Sequence, residues 1–173
     1  AWAITEPGSG SDAGGAMRAS ARRDGDHYVL NGNKTFITNG PYADTIVFIC
    51  KLDDGRPPEQ RKVVTFILDG ETPGLERSKP LRKMGLHASP TGELFLSDVR
   101  VPKANLIGEE GMGFAIAQAR LGPGRVHHCM RAIGMSERAL ELMTDRVRHR
   151  VAFGRPLATQ GVVREWIAES RME

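Results

Sequence analysis

With 173 residues, 40% of them hydrophobic and 26% charged, the chain has the make-up of one ordinary folded domain or parts of two. A net charge of +3, with no basic run interleaved with aromatics, gives no footing for nucleic acid, and no apolar run is long enough to span a bilayer. The cysteines, Cys50 and Cys129, form neither a C-x-x-C nor a metal-ligand spacing, so a reducing compartment is expected and a metal site is not.

The chain opens on Ile4-Thr5-Glu6-Pro7-Gly8-Ser9-Gly10-Ser11-Asp12, where glycines alternate with hydroxyl residues. Glycine lets backbone approach a ligand closely, and the N–H and hydroxyl groups are donors suited to a phosphate or the polar edge of a ring. A polar surface turn has the same composition. Gly8, Gly10 and Ala13 also fit G-x-G-x-x-A, the dinucleotide fingerprint, which needs a helix to open within it. Pro7 before it and Gly14-Gly15 after it speak against a helix start there, so a nicotinamide Rossmann site is rejected.

Residues 16–22 and 27–31 read as strands joined by the hairpin signal Asp24-Gly25-Asp26. Asn31-Gly32-Asn33 reads as a second turn, leading into Lys34-Thr35-Phe36-Ile37-Thr38-Asn39-Gly40. Residues 45–51 are apolar and β-branched and predict a buried strand; residues 53–61, with Pro57-Pro58, predict a polar loop. Residues 63–68 and 93–101 complete the strands, the last closed by Pro102. After Gly108 the period changes. Residues 111–121 read as a helix broken at Gly122-Pro123-Gly124. Val126, Met130, Ile133, Leu140, Met143 and Val147 then mark an amphipathic helix of roughly seven turns. Phe153-Gly154-Arg155-Pro156 is a break, and a further helix starts near Thr159, with Val162, Val163, Trp166 and Ile167 on its apolar side. The expected fold class is α+β: an antiparallel β-barrel or sandwich over residues 1–105, then the start of an α-helical bundle over residues 106–173. A chain that starts without Met and stops at Glu173 inside a helical pattern reads as a segment of a longer protein.

Several motifs follow one another in a specific order. Thr5-Glu6-Pro7-Gly8-Ser9-Gly10-Ser11-Asp12 is followed by Phe36-Ile37-Thr38-Asn39-Gly40, Met84-Gly85 and Asp98-Val99-Arg100-Val101-Pro102. Then come Asn105-Leu106-Ile107-Gly108, Gly111-Met112-Gly113-Phe114, Arg125 and Arg150-Val151-Ala152-Phe153-Gly154-Arg155-Pro156-Leu157. This succession, which covers nearly the whole chain, resembles the acyl-CoA dehydrogenase family of flavoproteins. The resemblance implies FAD as cofactor and α,β-dehydrogenation of an acyl-CoA thioester, with the α-proton taken by a carboxylate and the β-hydride by flavin N5. It further implies an electron-transferring flavoprotein as acceptor and a homo-oligomer, dimer or tetramer. Nucleic acid and membrane are not expected partners. The expected location is the cytoplasm, or a mitochondrion or peroxisome in a eukaryote.

By the same resemblance, Ile4 and Thr5 lie along the flavin edge, and Gly10 and Ser11 bind FAD, with Ser11 also touching the thioester ligand. Phe36, Ile37 and Thr38 flank the isoalloxazine. Many relatives carry Trp where Phe36 stands; Phe keeps the aromatic face and loses the indole donor. Arg125 is the ligand-contacting arginine, placed to meet a phosphate or carbonyl of CoA. Arg150, Phe153, Leu157 and Gln160 belong to a motif that reaches the FAD of a neighbouring subunit, although Gln160 comes one residue earlier than in many relatives. His127 and His128, being adjacent, point about 100° apart on a helix and do not converge on one ion.

No base is identifiable. In most of the family it is a glutamate further along the helical bundle; in some it directly precedes the arginine matched by Arg125, where this chain has Gly124. The polypeptide as given is therefore expected to be catalytically incomplete and to hold FAD weakly by itself. Alternatives are an acyl-CoA oxidase or nitroalkane oxidase on the same scaffold, or a non-catalytic binding or assembly module.

Overall fold

The computed structural model describes all residues, Ala1–Glu173, as two compact units, Ala1–Gln118 and Ala119–Glu173. The first is built on one seven-stranded sheet of β1 (Trp2–Ala3), β2 (Ser20–Asp24), β3 (His27–Thr38), β4 (Thr45–Leu52), β5 (Val63–Asp69), β6 (Leu75–Arg77) and β7 (Thr91–Pro102). A short helix α1 (Ala13–Ala16) lies between β1 and β2. The α+β class is as expected, with one adjustment to the sheet. β1 and β2 both pair with β4 in parallel, at successive positions along one of its edges, while the other pairings are antiparallel. β4 is therefore paired along both edges, and neighbouring residues that point to opposite faces are both covered: Ile46, Phe48, Ile49, Cys50 and Leu52 are all inaccessible, which is why the run is apolar without alternation.

β3 and β5 are separated by β4 and β2 in the sheet order, some 14 Å apart if the sheet were flat. Yet the Tyr28 and Phe66 rings sit 4.9 Å apart, and Phe66 forms a bridge to Leu106 just beyond β7. The sheet thus curls on itself around a core that includes Leu30, Phe48, Phe66, Leu94 and Val99.

Two sequence expectations in this unit need correction. Asn31-Gly32-Asn33 is not a turn, because β3 runs straight through it. A register shift falls between Leu30 and Gly32; Gly32 has φ +143°, and a Cβ there would lie 2.6 Å from that of Ala19. Asn31 instead exchanges side-chain hydrogen bonds with Asp98, donating from Nδ2 to Oδ1 (3.0 Å) and accepting from the Asp98 N–H (2.9 Å). A helix does open within the glycine-rich stretch: Ala13–Ala16 forms one turn because Asp12 caps it, Oδ1 accepting the Gly15 N–H at 3.1 Å. The strand expected from residue 16 accordingly starts at Ser20, as β2.

Residues 106–118 belong with the sheet. The Ile107 N–H donates to the Thr65 carbonyl (2.8 Å), and the Gly113 backbone lies directly against Val63. Glu110 accepts from Tyr28 (2.7 Å) and from Arg23 Nε (2.8 Å), and the guanidinium holds the Glu110 carboxyl below its ordinary range.

Helix α2 runs unbroken over Gly113–His149, which corrects the expected break at Gly122-Pro123-Gly124. A proline inside a helix removes a single backbone bond and crowds the preceding turn. Nothing outside the helix lies within 4 Å of the Cβ positions of Gly122 or Gly124, so no neighbouring element packs on the turn that holds Pro123. The second unit continues with β8 (Val151–Ala152) and β9 (Arg155–Pro156), which pair as a hairpin, and α3 (Gly161–Met172). No helix is long and apolar enough to cross a membrane.

Cys50 supplies a solvent test of this core. Burial pushes its thiol up to about 12 from an ordinary 9.0. Above pH 9 the unfolded chain gives up this proton and the native chain keeps it, so stability falls as pH rises through that window. Between pH 9 and 10.5 the protein should lose about 1–2 kcal/mol more than its Cys50→Ala variant in urea unfolding. Parallel slopes for the two proteins would contradict this placement.

Candidate functional site

The glycine- and hydroxyl-rich stretch is a closed excursion of the chain between β1 and β2. Glu6 and Ser9 bond each other through their backbones, Glu6 N–H to Ser9 carbonyl (2.9 Å) and Ser9 N–H to Glu6 carbonyl (3.1 Å). The Ser9 hydroxyl donates to the Asp12 carbonyl (3.0 Å). These bonds turn Ser9 inward and leave Gly10 and Ser11 exposed, while Ile4 and Thr5 are half-buried.

The other half of the site is an irregularity in β3. The ladder to β7 shifts register between Lys34 and Ile37, and Phe36 takes φ +56°. A bulky residue in the left-handed region is costly, and such strain clusters at functional positions. The bulge aims the Phe36 ring outward at 67% exposure. Ile37 next to it is 2% exposed and packs in the core, and Thr38 is outward again. Of the predicted trio, the Phe36 and Thr38 side chains are thus exposed, and the Ile37 side chain is buried.

The two halves are joined directly. The Thr35 N–H donates to the Thr5 carbonyl at 2.9 Å. The Lys34 ammonium donates to the Ile4 carbonyl (3.0 Å) and to Glu6 Oε1 (2.8 Å), and it lies 5.2 Å from the centre of the Phe48 ring. The Lys34 and Glu6 side chains are 0% and 6% exposed. Glu6 also accepts the N–H groups of Arg18 (2.7 Å) and Ala19 (3.0 Å). Burial pulls the Lys34 ammonium below its ordinary pKa, and the Glu6 carboxylate opposes that shift. Beside them the Thr35 hydroxyl donates to Glu93 Oε1 (3.1 Å).

Motif reasoning passed over Lys34 and Glu6 as site-forming residues. A parity signal was available: Tyr28 and Leu30 face the core from even positions of β3, and Lys34 shares that parity. A lysine aimed into a core requires buried acceptors for its ammonium, a carboxylate at Lys34 and main-chain carbonyls of Gly15 and Pro58 at Lys51.

The remaining candidates lie in the second unit. Arg125 is exposed on α2. Arg150, Phe153, Leu157 and Gln160 are gathered on and around the β8–β9 hairpin, where Leu157 N–H donates to the Arg150 carbonyl and Gln160 N–H to the Leu157 carbonyl, both 2.9 Å. Phe153 and Gly154, at φ +52° and +77°, make the tight two-residue turn, and the Phe153 ring stands 99% exposed. Phe36 and Phe153 are the two aromatic residues with positive φ, and both project into solvent.

Comparison with known proteins bears on both units. Residues 1–99 match the family described as acyl-CoA dehydrogenase, middle domain, and residues 111–173 match acyl-CoA dehydrogenase, C-terminal domain. A probable acyl-CoA dehydrogenase of Mycobacterium tuberculosis is 46% identical, aligned over 100% of this chain and 43% of its own length. The crystal structure of an acyl-CoA dehydrogenase from Geobacillus kaustophilus superposes with a TM-score of 0.89 at 40% identity, covering 99% of this chain and 45% of that one. An acyl-CoA dehydrogenase from Bacillus anthracis complexed with FAD gives a TM-score of 0.84 at 38% identity, over 98% and 28% of the two chains. The chain thus spans less than half the length of the relatives it matches.

Proposed function

The chain belongs to the acyl-CoA dehydrogenase family, and from that premise we propose that it carries the cofactor-holding part of an FAD-dependent oxidoreductase acting on the α and β carbons of an acyl-CoA thioester. The observation that carries this reading is the Thr35 N–H to Thr5 carbonyl bond, which ties the hydroxyl-rich turn to a bulge presenting an exposed, strained Phe36.

The residues fit a flat heteroaromatic group. Phe36 offers an apolar face, and Thr5, Ser11 and Thr38 offer short hydroxyls for a polar rim at small cost in side-chain ordering. Gly8 and Gly10 leave open space where a Cβ would stand. When bound, FAD supplies a hydride acceptor. In the second unit Arg125 offers a guanidinium to a phosphate or carbonyl of CoA. Arg150, Phe153, Leu157 and Gln160 offer a cation, an exposed ring and a helix-leading segment to the cofactor of a second copy, in a dimer or tetramer. The α-proton requires a carboxylate, and we place it outside residues 1–173, since Gly124 beside Arg125 has no ionisable side chain. Reoxidation by an electron-transferring flavoprotein completes the proposal.

The test uses the coding sequence extended to the length of the relatives. The purified protein should be yellow, should lose its flavin colour on anaerobic mixing with an acyl-CoA, and should regain it with an electron-transferring flavoprotein. A colourless protein, or a flavin that no acyl-CoA bleaches, would end the reading. Fast turnover with O₂ alone would transfer the chain to the acyl-CoA oxidases.

A further inference from the structure

We propose that the buried Glu6–Lys34 pair is a positioning device: it sets the spacing between the Thr5 turn and the Phe36 bulge, and so the shape of the face that receives the flavin. This rests on the flavoprotein reading above.

Lys34 is inaccessible and Glu6 nearly so, with the Glu6 carboxylate turned to Lys34 and to the Arg18 and Ala19 N–H groups, so the pair is placed to act through the backbone it holds. What the pair does is gather backbone from separate segments. Lys34 holds the Ile4 carbonyl and the Glu6 carboxylate, the two residues that flank Thr5. Glu6 holds the N–H groups of Arg18 and Ala19, where the chain returns from its excursion. One carboxylate thereby closes the loop that carries Gly10 and Ser11. On the other side, Lys34 is the last residue in register with β7 before the bulge, where it pairs with Leu94, and Phe36 stands two residues on.

Stability alone does not account for such a pair. A buried ion pair is often no more stabilising than two apolar side chains of the same volume. Apolar side chains, however, are non-directional and would leave the Ile4 carbonyl and the Arg18 and Ala19 N–H groups without these partners. The charged pair supplies direction: several polar contacts must be satisfied at once, and a single arrangement of turn and bulge satisfies them.

The decisive variant is the double substitution Glu6→Gln with Lys34→Met in the full-length flavoprotein, which leaves no unpaired buried charge. Val64→Ala, a core change on β5, is the control for simple loss of stability. The double variant should fold, bind FAD roughly tenfold or more weakly, and show an altered visible circular dichroism of the bound flavin at saturating FAD. In its apoprotein, amide hydrogen exchange should quicken in residues 4–11, 18–19 and 34–38, and not elsewhere in the sheet. Val64→Ala should leave flavin affinity and dichroism as in the unmodified protein. FAD affinity within threefold and an unchanged dichroism in the double variant would overturn the proposal, as would a double variant that cannot fold. If the unmodified protein binds no FAD, the flavoprotein reading fails, and the apoprotein exchange pattern still decides whether the pair clamps turn to bulge.

Discussion

Replacing Phe36 by glycine is expected to leave the apoprotein as stable as before, or slightly more so, while weakening FAD binding about tenfold or more. The two effects have separate causes. Phe36 is 67% exposed, so its removal opens no cavity. It also stands at φ +56°, a conformation that costs a non-glycine residue of order 1 kcal/mol and glycine almost nothing. Against that gain stands the larger backbone entropy that glycine loses on folding, about 0.5–1 kcal/mol, so the net change in stability is close to zero. On the binding side, an aromatic face against a flat ring contributes about 1–2 kcal/mol through apolar area and stacking, which corresponds to about tenfold in the dissociation constant. Thermal unfolding of the apoprotein and titration of the full-length protein with FAD measure the two effects. Phe36→Trp is expected to keep the affinity. A loss of more than about 2 kcal/mol in the apoprotein would make Phe36 structural, and an unchanged FAD affinity in Phe36→Gly would remove it from the site.

Phe48→Ala is expected to have the largest effect on stability of any single truncation in the first unit. Phe48 is inaccessible, lies opposite Phe66 in the β4–β5 ladder and presents its ring to the Lys34 ammonium. Truncating a buried Phe costs about 3–5 kcal/mol through lost transfer energy and the cavity left behind. Here the loss falls toward the upper end, because the Lys34 cation also loses the ring face. Against a typical domain stability of 5–15 kcal/mol, this lowers the unfolding midpoint by roughly 15–25 °C. Thermal unfolding followed by far-UV dichroism reads it, with Phe36→Ala as the exposed-site counterpart. A loss below about 1.5 kcal/mol would mean that the core reseals around the gap and that the Lys34 ammonium needs no ring.

Much of the site could be read from residue order because it depends on local chemistry. Thr5, Gly10, Ser11, Phe36 and Thr38 are recognisable as a set by their types and spacing, and the fold joins the turn to the strand that carries Phe36 by a main-chain bond. One local signal was outweighed by non-local contacts. Asn31-Gly32-Asn33 carries strong turn chemistry, yet Asp98 satisfies the Asn31 side chain and Ala19 packs on Gly32, so β3 continues and the extra residue of the register shift falls on β7. Gly122-Pro123-Gly124 should break a helix, and the helix passes through it with turns intact on both sides. Asp12 reversed the expectation for Ala13–Ala16 by capping a turn that composition disfavoured. Ile37 was expected against the flavin and lies in the core, because strand alternation sends it to the opposite side from Phe36 and Thr38.

Residue order was enough for the α+β class and for the switch from two-residue to helical periodicity after Gly108, since each of these follows from periodicity. Only the folded chain decided that Lys34 and Glu6 meet in the interior, that Phe36 is held in left-handed backbone, and that β1 and β2 share one edge of β4. Those features depend on pairings between residues 28 to 60 positions apart along the chain, such as Lys34 with Glu6, Trp2 with Val47 and Lys34 with Leu94. A buried charge is tolerated only where its partner arrives from elsewhere, and no local pattern states where that will be.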